Sequence, residues 1–152
     1  MELNRDFREF LQSFVSREVQ FLIIGGYALA AHGHPRYTKD LDVWVWADPS
    51  NSPRVLAALG DFGFGALDLT AADFEQSEFV VQLGREPQRI DLLTFATGVD
   101  FSDAYERRVL IDVGGFEAPF ISIADLRANK RATGRLRDLA DLEDLPPADD
   151  HT

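Results

Sequence analysis

No cysteine occurs anywhere in the chain, which excludes a disulfide framework and any thiolate-bound metal and is compatible with a reducing compartment. Basic residues are scarce: 15 Lys and Arg stand against 26 Asp and Glu, for a net charge of −11. That balance argues against a general nucleic-acid coat, because neutralising phosphates takes clustered Lys and Arg. Apolar runs are short. None approaches the about 18 residues of a membrane-crossing helix, and the opening Met1-Glu2-Leu3-Asn4-Arg5-Asp6 has no signal-peptide pattern. A cytoplasmic protein with no membrane partner is the expectation. What is present suffices for a core: 45% of the 152 residues are apolar, enough for one domain over residues 1–147, with 148–152 as an acidic tail.

Phe7, Phe10, Leu11 and Phe14 recur at helical spacing and predict an amphipathic helix over 3–15. Residues 19–24 read as a buried strand that Gly25 and Gly26 break, and the Ala-rich 27–32 as a short helix stopped by Gly33 and Pro35. A second strand is expected over 40–46. Ser52 as cap and Pro53 at the first position open a helix to about residue 59. Residues 60–74 lack a period and read as loop with at most one short helix. The apolar runs 79–83 and 89–95, joined by Gly84-Arg85-Glu86-Pro87-Gln88, suggest one hairpin, and 108–113 with 116–121 around Gly114-Gly115 another. Ser122-Ile123-Ala124-Asp125 looks like the capped start of a helix that breaks near Gly134, and a last helix, 135–145, is closed by Pro146-Pro147. The order predicts an α/β protein of the α+β kind, a mixed sheet with helices packed on it and two C-terminal helices.

The most informative stretch is residues 25–42, Gly-Gly-Tyr-Ala-Leu-Ala-Ala-His-Gly-His-Pro-Arg-Tyr-Thr-Lys-Asp-Leu-Asp. In a strand alternate side chains share a face, so Asp40 and Asp42 project together while Leu41 and Val43 enter the core. Adjacent carboxylates repel each other. A cation is expected between them, and a hard divalent ion bound by carboxylates and substrate phosphates is the economical choice.

At these residues the chain resembles the nucleotidyltransferase superfamily of DNA polymerase beta. Ile24-Gly25-Gly26, Asp40-Leu41-Asp42 and a third acid, Asp91 in Arg89-Ile90-Asp91-Leu92-Leu93, follow that family's order, each against an apolar run. The likeness spans residues 21–145 and looks strongest to the minimal bacterial type, including AbiEii-like toxins. The resemblance implies a magnesium-dependent enzyme that moves a nucleoside monophosphate from a nucleoside triphosphate to an acceptor hydroxyl. Two Mg2+ ions, or Mn2+ in their place, would be held by Asp40, Asp42 and Asp91, with Asp91 completing the site facing the acceptor or acting as its general base. Gly25 and Gly26 would let backbone N–H groups approach the phosphates. Arg36, Thr38 and Lys39 occupy a place where AbiEii-like proteins carry an Arg and a Ser or Thr, so Arg36 would contact phosphate, lock the loop, or form a structural ion pair. Lys130 resembles a late-helix lysine that reaches the triphosphate, and Arg135 would assist as a bidentate clamp. The acceptor by resemblance is an RNA 3′ end, a protein or a small molecule, and such proteins often form one half of a toxin–antitoxin pair.

Plainer readings stand beside these. Asp40 and Asp42 could be a solvated strand edge, and Asp91 a surface residue paired with Arg89. The cluster Arg127, Lys130, Arg131, Arg135 and Arg137 contains no acid, whereas 138–152 holds six acids and no Lys or Arg; this is either a solvated helix face beside an acidic tail or the one basic patch able to guide RNA. His32 and His34 make a poor zinc site, since only His151 remains as a partner. Trp44 and Trp46 fill the core more readily than they stack a base. The rival function is a catalytically silent binding module or antitoxin that caps a partner protein, and a third is a nucleotide-binding sensor.

Overall fold

The computed structural model of the protein describes residues 1–33, 39–65, 67–84 and 89–145, the side chains of Arg137 and Asp144 excepted. His34, Arg36, Thr38, the hairpin turn at 85–88, Pro146-Pro147, the acidic tail and His151 lie outside the described residues.

Helix α1 (Arg5–Ser16) is capped by Asn4, whose side chain accepts the Phe7 N–H at 2.8 Å, and it buries the predicted stripe of Phe7, Phe10, Leu11 and Phe14 completely. Strand β1 (Phe21–Ile24) runs straight into helix α2 (Gly25–Ala31), which begins at the first glycine, two residues before its expected start. Strand β2 (Leu41–Val45) is followed by helix α3 (Ser52–Phe62). Here the expected cap is corrected: Asn51 precedes the helix and Ser52 is its first residue, with the Ser52 hydroxyl donating to Glu75 at 2.6 Å. The Asn51 side chain is instead spent inward, accepting from Gln20 N–H and donating to the Gln20 and Trp46 carbonyls, which ties the ends of β1 and β2 together. Helix α3 outruns its expected end to Phe62, and the aperiodic stretch after it contains a 3₁₀ turn at Ala71–Glu75.

The two hairpins form as read. Strands β3 (Val80–Leu83) and β4 (Ile90–Leu93) pair antiparallel, as do β5 (Val109–Asp112) and β6 (Glu117–Phe120), with helix α4 (Phe101–Glu106) between the pairs. The six strands make one mixed sheet in the order β3-β4-β2-β1-β6-β5. Its two central strands are antiparallel to each other, and each pairs in parallel with one hairpin: β2 with β4, β1 with β6. Helices α5 (Ile123–Thr133) and α6 (Leu136–Asp144) close the described chain. Ser122 caps α5 by accepting the Asp125 N–H, and Gly134 ends it in a left-handed conformation, φ +66°. The expected α+β architecture is the observed one.

The core is one continuous cluster in which Leu22, Ile23, Leu41, Val43 and Val45 are buried beside the α1 phenylalanines. Trp44 meets Phe101 edge-on at 5.1 Å and Trp46 stacks on the same ring at 6.3 Å, so both tryptophans pack against α4. No helix among the described residues is long and apolar enough to cross a membrane.

Candidate active site

Strand pairing brings the three aspartates together. In the parallel β2–β4 pair Asp42 lies directly across from Asp91, and neighbours across a ladder present their side chains on the same face. Asp40 stands one alternation earlier, where the Leu41 N–H donates to the Arg89 carbonyl and carries the register past the strand end. The sequence needs only period-two alternation to put Asp40 beside Asp42. That Asp91 joins them depends on which strand becomes the neighbour of β2.

The glycine turn is placed by the same ladder. Ile24 pairs with Asp42, so the chain leaves β1 and enters α2 immediately beside the Asp42 carboxylate. Gly25 has φ +69°, and a Cβ there would collide with Asp42 Oδ2. Both conditions demand glycine. Substituting Gly25→Ala is expected to strain the turn and expel the Asp42 side chain from its position, which lowers the urea midpoint; an unchanged midpoint would show that the Gly25–Asp42 contact does not constrain the turn.

These residues line a cavity of about 610 Å³. The strand side, its floor, comprises Gly25, Gly26, Asp40, Asp42 and Asp91 at the ends of β1, β2 and β4; Leu93, Phe95 and Ala96 of β4 and the loop after it form a wall; and Thr97 with Asn129, Lys130, Thr133, Arg135 and Asp138 of the α5–α6 region forms the helix side, its rim. Lys39 is exposed at the near edge. Asn129 donates to the Thr97 carbonyl at 3.0 Å and so joins α5 to the loop after β4.

Charge inside this cavity is organised in two clusters. Arg89 is two residues before Asp91 and shares its face; its guanidinium donates to Asp91 at 2.9 and 3.2 Å and to Asp40 at 2.7 Å. The pairing of Arg89 with Asp91 is therefore real, but it sits inside the site. Asp42 is the aspartate that suffers: burial, then Asp91, then Asp40 push its carboxyl up to about 7, against the smaller opposing pull of Lys130 and Arg89. The second cluster joins α5 and α6. Lys130 Nζ lies 3.1 Å from Asp138 Oδ1 and 3.4 Å from Asp141 Oδ2, Thr133 Oγ1 lies 2.6 Å from Asp138 Oδ2, and Arg135 donates to the same oxygen at 2.6 Å. Lys130 is only 8% exposed, so it is no part of a solvated helix face. Arg127 is also structural in its contacts, donating to the Leu142 and Leu145 carbonyls of the last helix turn.

A hard divalent cation suits the donor set at the floor: oxygen ligands only, and a half-buried carboxylate whose ionised form lacks compensation. Asp42 and Asp91, side by side on the ladder, would hold it, with Asp40 adjoining. Among the described residues no three carboxylate or imidazole groups yet converge on one point, so an ion shared by all three aspartates would require Arg89 to give way. His32 Nε2 is directed at the Ile121 carbonyl, 2.7 Å away, which ties the imidazole to the chain before α5.

Of the expected site residues, Gly25, Gly26, Lys39, Asp40, Asp42, Asp91, Lys130 and Arg135 all line the one cavity. Arg36 and Thr38 fall outside the described residues. Arg89 as a bridge between two aspartates, and Thr133 and Asp138 on the rim, were not legible as site residues. Arg89 had a signal in its alternation with Asp91; Asp138 had none, because helix periodicity would bury the leucines around it.

No family model matches the chain, and no curated protein does. Among solved structures it is similar to that of a Thermotoga maritima protein provisionally assigned as a nucleotidyltransferase, with 14% identity, a TM-score of 0.61, and coverage of 92% of this chain and 89% of that one. At that identity the likeness speaks for the fold, and with the mixed sheet and flanking helices it shows that this chain has a nucleotidyltransferase-like fold.

Proposed function

We propose that the protein is a magnesium-dependent nucleotidyltransferase of the minimal type, transferring a nucleoside monophosphate from a nucleoside triphosphate to an acceptor hydroxyl. The observation that carries this reading is the register Asp42↔Asp91 beside Asp40, in a cavity that Lys130 and Arg135 also line. The likeness of fold supports it.

Each group has a task. Asp42 and Asp91 would hold the metal, which would polarise the α-phosphate and ease the loss of pyrophosphate. On this reading Asp91 completes the metal site facing the acceptor hydroxyl or acts as its general base. Asp40 holds the Arg89 guanidinium and with it the orientation of Asp91. Gly25 and Gly26 keep the floor open to phosphate, and Leu93, Phe95 and Ala96 offer an apolar wall for the nucleoside. Lys130 and Arg135 supply positive charge for the leaving phosphates.

A toxin–antitoxin role, with a cognate partner protein, belongs to the same proposal through the resemblance to AbiEii-like toxins. The exposed Arg131 leaves RNA as one acceptor class, with protein and small molecules as the others. The test is incubation of the purified protein with each α-labelled nucleoside triphosphate and magnesium, with and without total RNA or cell lysate, beside an Asp40→Asn variant. Label reaching a macromolecule only with the wild type is the expected result. Tight nucleotide binding without pyrophosphate release under every condition would replace the enzyme by a nucleotide-binding module.

A further inference from the structure

Helix α6 is inverted relative to an ordinary amphipathic helix. Asp138 and Asp141 face inward, 1% and 6% exposed, while Leu136 and Leu139 face solvent at 88% and 44%. Apolar burial holds this helix down only toward its end, where Leu142 is half-buried and Leu145, just past the helix, is buried. Ion pairs hold the rest. Three donors converge on the Asp138 carboxylate: the Lys130 ammonium, the Thr133 hydroxyl and the Arg135 guanidinium. Burial alone would push that carboxyl up, yet the bonds from Arg135, Thr133 and Lys130 outweigh it and hold it well below the ordinary carboxylate range.

A lysine, a hydroxyl and a forked guanidinium around one anionic group are what a phosphate requires. The carboxylate on the cavity rim therefore has the surroundings of a phosphate, and both cations also act on Asp42 across the cavity. We infer that Asp138 stands as an intramolecular surrogate in the polyphosphate position that the resemblance gives Lys130 and Arg135, with Thr133 as a third donor, and that the phosphates of the substrate must displace it, releasing the N-terminal part of α6 about Gly134. This rests on the nucleotidyltransferase reading for the identity of the polyphosphate.

The leucines support release as the mode of opening. Lifting the first turns of α6 uncovers little apolar surface, because Leu136 and Leu139 are already exposed, so the opposing cost is the exchange of one anion for another on the same donors together with the loss of the Lys130–Asp141 pair. The left-handed Gly134, with Arg135 alone between the two helices, supplies the pivot.

The probe is inorganic tripolyphosphate with magnesium, titrated calorimetrically against the wild type and Asp138→Asn. If Asp138 competes for the subsite, the variant binds about tenfold more tightly, the gain expected when the competent state rises from about a tenth of the population to all of it. Equal or weaker binding by a folded Asp138→Asn would make Asp138 a positioning residue for Lys130 and overturn the proposal, as would no binding to either protein. Should the variant not fold, hydrogen exchange of the wild type decides: amides of Leu139 to Leu142 exchange faster under saturating tripolyphosphate if α6 is released, and unchanged protection refutes it. Tighter binding by the variant from a protein that transfers no label would retain the subsite and reject the enzyme; label transfer without the gain would do the reverse.

Discussion

Asp42→Asn is expected to abolish nucleotidyl transfer and at the same time to stabilise the fold at neutral and alkaline pH. The carboxyl rises from its ordinary 3.8 to about 7 on folding, so the folded chain binds this proton more tightly than the unfolded one. Between those two values stability falls as pH rises, and above about 7 the full penalty, on the order of 4 kcal/mol, is present. Asparagine keeps the shape and removes the charge. The stability difference between variant and wild type in urea should therefore be small at pH 4, grow through pH 5 and 6, and level off near pH 8, while the transfer rate drops by about 10²–10³-fold or more. Magnesium should narrow the stability difference by ligating the wild-type carboxylate. A difference independent of pH would show that Asp42 is not the strained group, and retained transfer would remove it from the chemistry.

Lys130→Met carries the largest expected loss of stability. The ammonium is buried between Asp138 and Asp141, themselves buried, and removing it takes a cation away from two carboxylates in a poorly solvated place, with Arg135 and Thr133 still bonded to Asp138. About 3–5 kcal/mol is the usual consequence, and it should appear as a lower urea midpoint together with loss of exchange protection throughout α6. A second change, Asp138→Asn, in the same chain should recover part of the loss, because it removes one of the two buried carboxylates that faced the ammonium. If the single variant lost less than about 1 kcal/mol, solvent would have to screen the network, and α6 would be held by something other than these ion pairs.

The two expectations rest on different balances of charge. At the cavity floor carboxylates exceed cations, and neutralising one relieves the fold; at the rim cations and carboxylates match, and removing a cation exposes the acids.

Much of this protein was determined by local pattern. The α1 stripe, the hairpins and the cap at Ser122 follow from periodicity and turn chemistry, because such signals act within a few residues of the chain. Asp40 and Asp42 on one face need only strand alternation, and Gly25-Gly26 before a helix needs only composition. Where local signals misled, a distant partner had claimed the side chain: Asn51 reaches Gln20 and Trp46 in place of its own helix, and Ser52 reaches Glu75. Tertiary structure alone decided the rest. The parallel pairing of β2 with β4 set Asp91 across from Asp42, and nothing near either residue specifies which strands become neighbours. Lys130 stands in a basic, outwardly solvated segment as sequence, yet it is buried because α6 folds back and places Asp138 and Asp141 over it while Leu136 and Leu139 face water. Helix periodicity reports which residues share a face; which face turns inward is settled by the free energy of the whole contact, and here pairing a buried cation outweighed burying two leucines.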